Sequence, residues 1–359
     1  MKRVHYIILA VTITVIALGV VSALVIARII DEEYTQKQTS IEGTGQKVEV
    51  PATTTTQPQL TYRCPLDDEA TTVENGQRRP LAVMIENHPD ARPQSGLIKA
   101  CTVYETVAEG GVTRFMAIFL HNDIPAVGPV RSAREYFVDL AKQYDAIYSH
   151  CGGPATIYTV LKNLAIADLD EMANGDAYWR LKTRRAPHNL YSSTKNLWAK
   201  AVAKGYSSQV FFQKPNFKDD ASLSERPAVA SIDINFSRPD FAVHYEYDRQ
   251  TNTYKRFMAG KAHMDGVYEL QIAPKNVVVQ FNPIGPIAND PKGRMKVSLA
   301  GMGKATVFQD GQVIQATWQR PALADLTRYY DQSGTEIRFN SGQTWIEIVD
   351  PSTMQVTYK

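Results

Sequence analysis

Hydrophobic and polar positions divide the chain into stretches of different texture. From Tyr6 to Ala27 no residue is charged. At about 1.5 Å per residue, such a run is long enough as a helix to cross a hydrocarbon core of roughly 30 Å. Lys2 and Arg3 precede it, whereas Arg28 is followed by Asp31, Glu32 and Glu33, an asymmetry that keeps residues 1–5 in the cytoplasm and exports the rest. Val21-Ser22-Ala23 also resembles a small-residue cleavage site, so a cleaved signal peptide is the rival reading of 6–30. Both readings export the same polypeptide. Residues 31–60 are mostly Thr, Gln, Glu, Gly and Pro, without helical or strand period, and read as a flexible stalk.

Folded texture begins near residue 61. Leu81-Ala-Val-Met-Ile-Glu86 reads as a buried strand ending at the turn formers Asn87-His88-Pro89-Asp90. Strands over Cys101–Val107 and Val112–Leu120 flank Glu109-Gly110-Gly111, a hairpin signal. Ser132 with Glu135 reads as a capping box for a helix over 133–143. A short strand over 146–149 follows, then a helix opened by Gly152-Gly153-Pro154 and running to Asn163, and a third helix over Thr194–Lys204 closed by Gly205. After the polar stretch 216–227, period-two runs take over. Asp310-Gly311, Ser333-Gly334 and Ser341-Gly342 separate them, which predicts an antiparallel meander. The expected architecture is α+β: a mixed sheet with helices over 61–215, a linker over 216–227 and a second, β-rich domain over 228–359.

Charge narrows the partners. The 39 Lys and Arg include Lys2, Arg3 and Arg28, and face 37 Asp and Glu, so the exported part is close to neutral. A nucleic-acid binder needs a cationic excess to displace counterions, which argues against nucleic acid as partner. Three cysteines in an oxidising compartment allow at most one internal disulfide. Cys64, at the stalk end of the fold, is expected to pair with Cys101, leaving Cys151 spare.

Arg79-Pro-Leu-Ala-Val-Met-Ile-Glu-Asn-His-Pro-Asp-Ala-Arg-Pro-Gln-Ser-Gly-Leu97, Glu109-Gly-Gly-Val-Thr-Arg114, Gly128-Pro-Val-Arg-Ser-Ala-Arg134 and Ala186-Pro-His-Asn-Leu-Tyr191 together resemble the YerB-like family of bacterial extracytoplasmic proteins, a domain of unknown function. The tail with Gly303, Asp310-Gly311, Trp318 and Gly342-Gln-Thr-Trp345 is similar to the family's C-terminal part, so the resemblance spans about 62–358. It implies an envelope protein with an α+β N-terminal part and a β-rich C-terminal part. Many members look like lipoproteins, and this chain departs from them in having no Cys after its apolar run.

Candidate chemistry concentrates in those motifs. Arg131 and Arg134, three residues apart at a helix entry, can share one face and fork onto a carboxylate or phosphate. His150 and the glycines after it offer a second anion-friendly edge. The plainer alternative is that the arginines pair internally with Glu86, Glu105, Glu109 or Glu135. Glu86, His88, Asp90 and Arg92 follow the first strand, where loops display functional groups, although Asn87 and Asp90 are also ordinary turn formers. The candidate ligand-contacting set is Glu86, His88, Arg92, Glu105, Glu109, Arg114, Arg131, Arg134 and His150. Arg180, Lys182 and Arg184 alternate, with Arg185 and His188 beyond, as one cationic strand face would, either a protected edge or a contact for an anionic wall polymer or lipid headgroup. His150-Cys151 is a poor catalytic pair because strand neighbours point oppositely. The seven His show no paired metal-ligand spacing, and Gly301-Met-Gly303 lacks the helix of a nucleotide loop, so neither metal nor cofactor is expected. With no assembled catalytic set, the expected role is binding rather than catalysis: a membrane-tethered module recognising an anionic wall component or partner protein. The competing reading is an envelope hydrolase or transferase in which arginines hold the anion and Glu86, Glu105 or Glu109 is acid or base.

Overall fold

The computed structural model describes residues 61–228 and 230–359. The expected membrane segment and stalk lie outside them, and among the described residues no helix is long and apolar enough to cross a membrane. Strand β1 (Leu81–Glu86) is buried at every position. Leu81, Val83 and Ile85 enter one apolar core, Ala82 and Met84 another on the opposite face. A strand covered on both faces needs no polar alternation, hence its unbroken apolar sequence. Strands β2 (Thr102–Val107) and β3 (Thr113–Phe119) pair antiparallel across the expected turn. β3 pairs antiparallel with β1, which runs parallel to β4 (Ile147–His150), itself parallel to β5 (Ala167–Asp170).

Helices cover both faces at this end of the sheet. α1 (Glu135–Lys142) and α2 (Ile157–Asn163) pack Phe137, Leu140, Ile157 and Leu161 on the Met84 side. α1 starts later than the capping box suggests, with Arg134 at its N-cap and no side-chain cap bond. The cause lies in the backbone: Cys151 N donates to Arg131 O (3.1 Å) and Ala133 N to Gly152 O (2.9 Å), holding 131–133 extended beside the end of β4. α2 likewise starts after the Gly-Gly-Pro, where Gly152 is left-handed at φ 61°. Strands β6 (Tyr178–Arg180) and β7 (Leu190–Ser192) pair antiparallel with Arg180 opposite Leu190. The chain must therefore turn through 181–189, and Arg180, Lys182 and Arg184 do not form one strand face. α3 (Thr194–Ala203) packs Leu197 and Ala201 on the Val83 side and is capped by Ser193, whose hydroxyl accepts from Asn196 N at 3.1 Å.

Beyond the linker, β8 (Ser231–Asn235), β9 (Ala242–Asp248), β10 (Thr253–Met258) and β11 (Lys261–Ala262) form an antiparallel sheet. β12 (Asn276–Phe281) leaves it for the large sheet, and a short hairpin, β13 (Ile284–Pro286) and β14 (Met295–Val297), stands aside. β15 (Gly301–Gln309), β16 (Gln312–Arg320) and β17 (Arg328–Asp331) make the expected meander, with Asp310 and Gly311 both at positive φ in a two-residue turn. β18 (Thr344–Val349) does not continue it. It lies parallel to both β12 and β2, giving the ten-strand order β17-β16-β15-β12-β18-β2-β3-β1-β4-β5. β19 (Gln355–Tyr358) returns to the small sheet, whose order is β11-β10-β9-β8-β19. The fold is α+β, mostly sheet with few helices. Strands from both sides of 216–227 share one sheet, and the described residues form one compact unit, where the sequence suggests two bodies. β18 is buried at every position, so the backbone groups of both its edges need strand partners, and β2 supplies one of them.

The small sheet covers the Val83 side of the large one, and a buried ionic cluster joins them. Glu105 of β2 and Glu347 of β18 are opposite in register. Arg256 of β10 reaches in to pair with Glu105 and lies 3.6 Å from Glu347, all three fully buried. The Arg256 guanidinium also lies over Trp345 at 4.3 Å and donates to Tyr245 Oη at 3.0 Å, while Tyr245 donates to Glu347. Glu105 is thereby withdrawn from any ligand.

Candidate functional site

The carboxyl ends of parallel strands β1, β4 and β5 place Glu86, His150 and Asp170 along one edge, the usual position for ligand contacts in sheets of this kind. The loop after β1 is built inward first. Asn87, fully buried, donates to Glu105 Oε1 (3.1 Å) and Thr113 Oγ1 (2.7 Å) and accepts from Arg92 Nε (3.1 Å) and Gln94 Nε2 (2.9 Å). Arg92 also donates to Asp240 O at 2.8 Å and lies over Phe241, so it clamps this loop to the small sheet rather than facing a ligand. A single turn, Pro89–Ala91, leaves His88 and Asp90 outermost.

Glu86 is the hub. Its Oε2 accepts from His188 Nδ1 at 3.0 Å, and its Oε1 lies 3.0 Å from Arg131 Nε. The second contact is an ion pair without hydrogen-bond alignment, since Arg131 Nε is buried and has no hydrogen-bond partner. His188 stacks on His88, ring centroids 4.8 Å apart and planes 18° apart, and Asp90 Oδ2 lies 4.0 Å from His188 Nε2. The Glu86 carboxylate is only 5% exposed, Arg131 29% and His88 38%, so the cluster runs from a buried acid to an open rim. Lys182 and Arg185 stand exposed on the neighbouring loop with no ion pair among the described residues. Arg184 is engaged, donating to Ala91 O (2.6 Å) and Pro93 O (2.8 Å). Gly128 lets this loop approach: a Cβ there would lie 2.8 Å from Leu190 O.

The other expected residues are occupied elsewhere. Arg134 pairs with Glu109 through Nε (2.9 Å) and a terminal nitrogen, and donates to Ala133 O. Arg114 donates to Ser132 O at 2.7 Å, with Glu109 at 3.9 Å. Burial pushes both guanidinium groups below their usual range. These three therefore satisfy one another and do not join Arg131, because the extended 131–133 segment turns the two arginines apart. His150 is fully buried: Nδ1 donates to Gly152 O and Nε2 meets Asp168 Oδ1, each at 2.9 Å. Asp170 is spent on Gly152 N (2.7 Å) and Tyr158 Oη (2.9 Å). Burial, then the bond to Glu171, pushes the Cys151 thiol up to about 11, which removes it as a nucleophile.

Of the expected set, the structure thus brings together Glu86, His88 and Arg131, adds His188 and Asp90, and leaves Arg92, Glu105, Glu109, Arg114, Arg134 and His150 in structural roles. His188 stands in the sequence as part of the Ala186-Pro-His motif and at the end of the cationic stretch from Arg180, far from Glu86. Metal-capable donors also gather in space where spacing shows none: His88, Asp90 and His188 at this rim, and Cys64, Asp67, Cys101 and His121 elsewhere. Cys64 and Cys101 are neighbours as expected, but their sulfurs stand 3.9 Å apart as free thiols, so the expected bridge is not formed.

Comparison with known proteins places these observations in a lineage. Residues 68–207 match "Protein of unknown function (DUF3048) N-terminal domain" and residues 232–346 its C-terminal domain. A Bacillus subtilis (strain 168) protein named "Putative lipoprotein YerB" is 34% identical over 293 residues, covering 80% of this chain and 86% of that one. The crystal structure of YerB protein from Bacillus subtilis superposes with a TM-score of 0.74 at 32% identity, covering 82% of this chain and 99% of that one.

Proposed function

The chain belongs to the DUF3048 family of proteins of unknown function, and we propose that it serves there as a membrane-tethered extracytoplasmic binding protein that recognises an anionic component of the cell envelope. The uncharged Tyr6–Ala27 run and the lipoprotein name of the Bacillus subtilis relative support the location. The observation that carries the binding role is Arg131. Glu86 holds its guanidinium in place, yet none of its nitrogens makes a hydrogen bond within the described structure, and the group is part exposed at the cluster that Glu86 forms with His188 and, through it, His88. A forked donor that is oriented but unspent is suited to a phosphate or carboxylate. The acid–base alternative loses two of its three glutamates, since Glu105 is sealed against Arg256 and Glu109 is committed to Arg134.

The test is binding of the detergent-solubilised full chain to an isolated anionic wall polymer, with a neutral polysaccharide as control. Hydrogen bonds to charged groups contribute about 1.5–3 kcal/mol, so Arg131→Ala should weaken binding about 10-fold to 100-fold. Lys182→Ala with Arg185→Ala should chiefly reduce its salt sensitivity. Equal retention of anionic and neutral polymers, or unchanged affinity in a folded Arg131→Ala variant, would overturn the reading.

A further inference from the structure

Four donors from three segments converge at the start of the described fold. Cys64 and Asp67 lie in a tight turn, closed by Cys64 N to Glu69 O (2.9 Å) and Asp68 N to Cys64 O (2.8 Å). Cys101 stands just before β2, its amide bonded to Ile118 O and its carbonyl to Thr344 N, so the sheet fixes its position. His121 follows β3. Their ligand atoms all lie within 4.8 Å of one another and every residue is buried. From this geometry we infer that Cys64, Asp67, Cys101 and His121 form a structural zinc site that fastens the beginning of the fold to the large sheet.

The donor set is that of a closed zinc centre: two sulfurs, an imidazole and a carboxylate, with no position left for substrate. With zinc–sulfur bonds of about 2.3 Å, a tetrahedron sets its two sulfurs about 3.8 Å apart, and the observed separation is 3.9 Å. The supporting contacts suit ligands. Leu66 N points at Cys64 Sγ at 3.4 Å, as amides stabilising a thiolate do. Glu69 N holds Asp67 Oδ1 at 3.1 Å, leaving Oδ2 free to face His121 Nε2 at 2.9 Å. A zinc ion between that oxygen and nitrogen needs a gap of about 3.3 Å, so the pair opens slightly as the metal takes Nε2 and the neutral imidazole carries its one proton on Nδ1. Two thiol protons leave as the thiolates bind, and the dication offsets most of the negative charge buried with them. Calcium and magnesium, which select oxygen, are excluded by the sulfurs.

The test uses the full chain, solubilised in detergent and purified without chelator or added metal. Elemental analysis should find about one zinc per chain, and chelator in denaturant should expose three titratable thiols. Cys101→Ser and His121→Ala should each reduce bound zinc to less than a tenth, while Cys151→Ser keeps it. Because such variants can misfold, the metal-stripped wild type is also reloaded with cobalt. It should show the thiolate-to-cobalt charge-transfer band and the strong visible bands of tetrahedral coordination. One titratable thiol without zinc would show a disulfide instead and overturn the inference. Three thiols with neither zinc nor cobalt bands would equally overturn the inference.

Discussion

Arg256 is the residue on which the contact between the two sheets turns. Removing one partner from a buried ion cluster leaves charge without compensation, at about 3–5 kcal/mol. Arg256→Met, similar in length and uncharged, should lower the denaturant-derived stability by that amount, and a loss under 1 kcal/mol would show the cluster to be dispensable. One of its carboxylates, Glu347, also titrates with folding. Burial, and then the neighbouring Glu105 charge, pushes Glu347 up to about 8 from the usual carboxylate range. Between that range and about 8 the folded protein holds a proton that the unfolded chain has lost, so raising pH through this window favours unfolding. Glu347→Gln cannot titrate. It should therefore gain on wild type in urea melts as pH rises from about 5 to 8, and a pH-independent difference would mean that Glu347 is already ionised in the fold.

At the scale of elements, the contact between the Gly128 segment and the loop carrying His188 is the most exacting. A methyl at Gly128 would meet Leu190 O at 2.8 Å, the Tyr191 ring at 2.9 Å and Val130 N at 3.0 Å. Overpacking of this kind costs about 1–3 kcal/mol, so Gly128→Ala should show that loss in thermal melts, together with weaker anionic-polymer binding as His188 shifts. Elements whose signal is local were legible in the sequence. The β1 apolar run, the Glu109-Gly110-Gly111 turn, the Ser193-capped α3 and the Asp310-Gly311 hairpin all stand where their residues put them. Elements governed by distant partners were not. The start of α1 is set by hydrogen bonds to 151–152, and the place of β18 by strands on either side of it. The candidate cluster divides the same way: Glu86, His88 and Arg131 can be picked out by residue type and position. That Arg134 would instead serve Glu109, and that His188 would complete the hub, depended on folds of the chain that no local spacing records.

For the whole molecule, a shared sheet implies shared stability. Residues 61–215 and 228–359 each contribute strands that have no complete neighbour without the other, so calorimetry should give one cooperative transition for the folded part, and two separated transitions would show independent halves. The central position of β18 also bears on how the protein comes into being. The Thr106 hydroxyl donates to Ile348 O across 242 residues of chain. At ribosomal rates of about 5–20 residues per second, β2 waits on the order of 10 to 50 s for the strand that will lie against it. During that interval β2 presents an open edge, as β12 does once that strand has been made, the condition under which chains pair with the wrong neighbour. Loss of the strand Thr344–Val349 thus forfeits the middle of the sheet rather than trimming its margin.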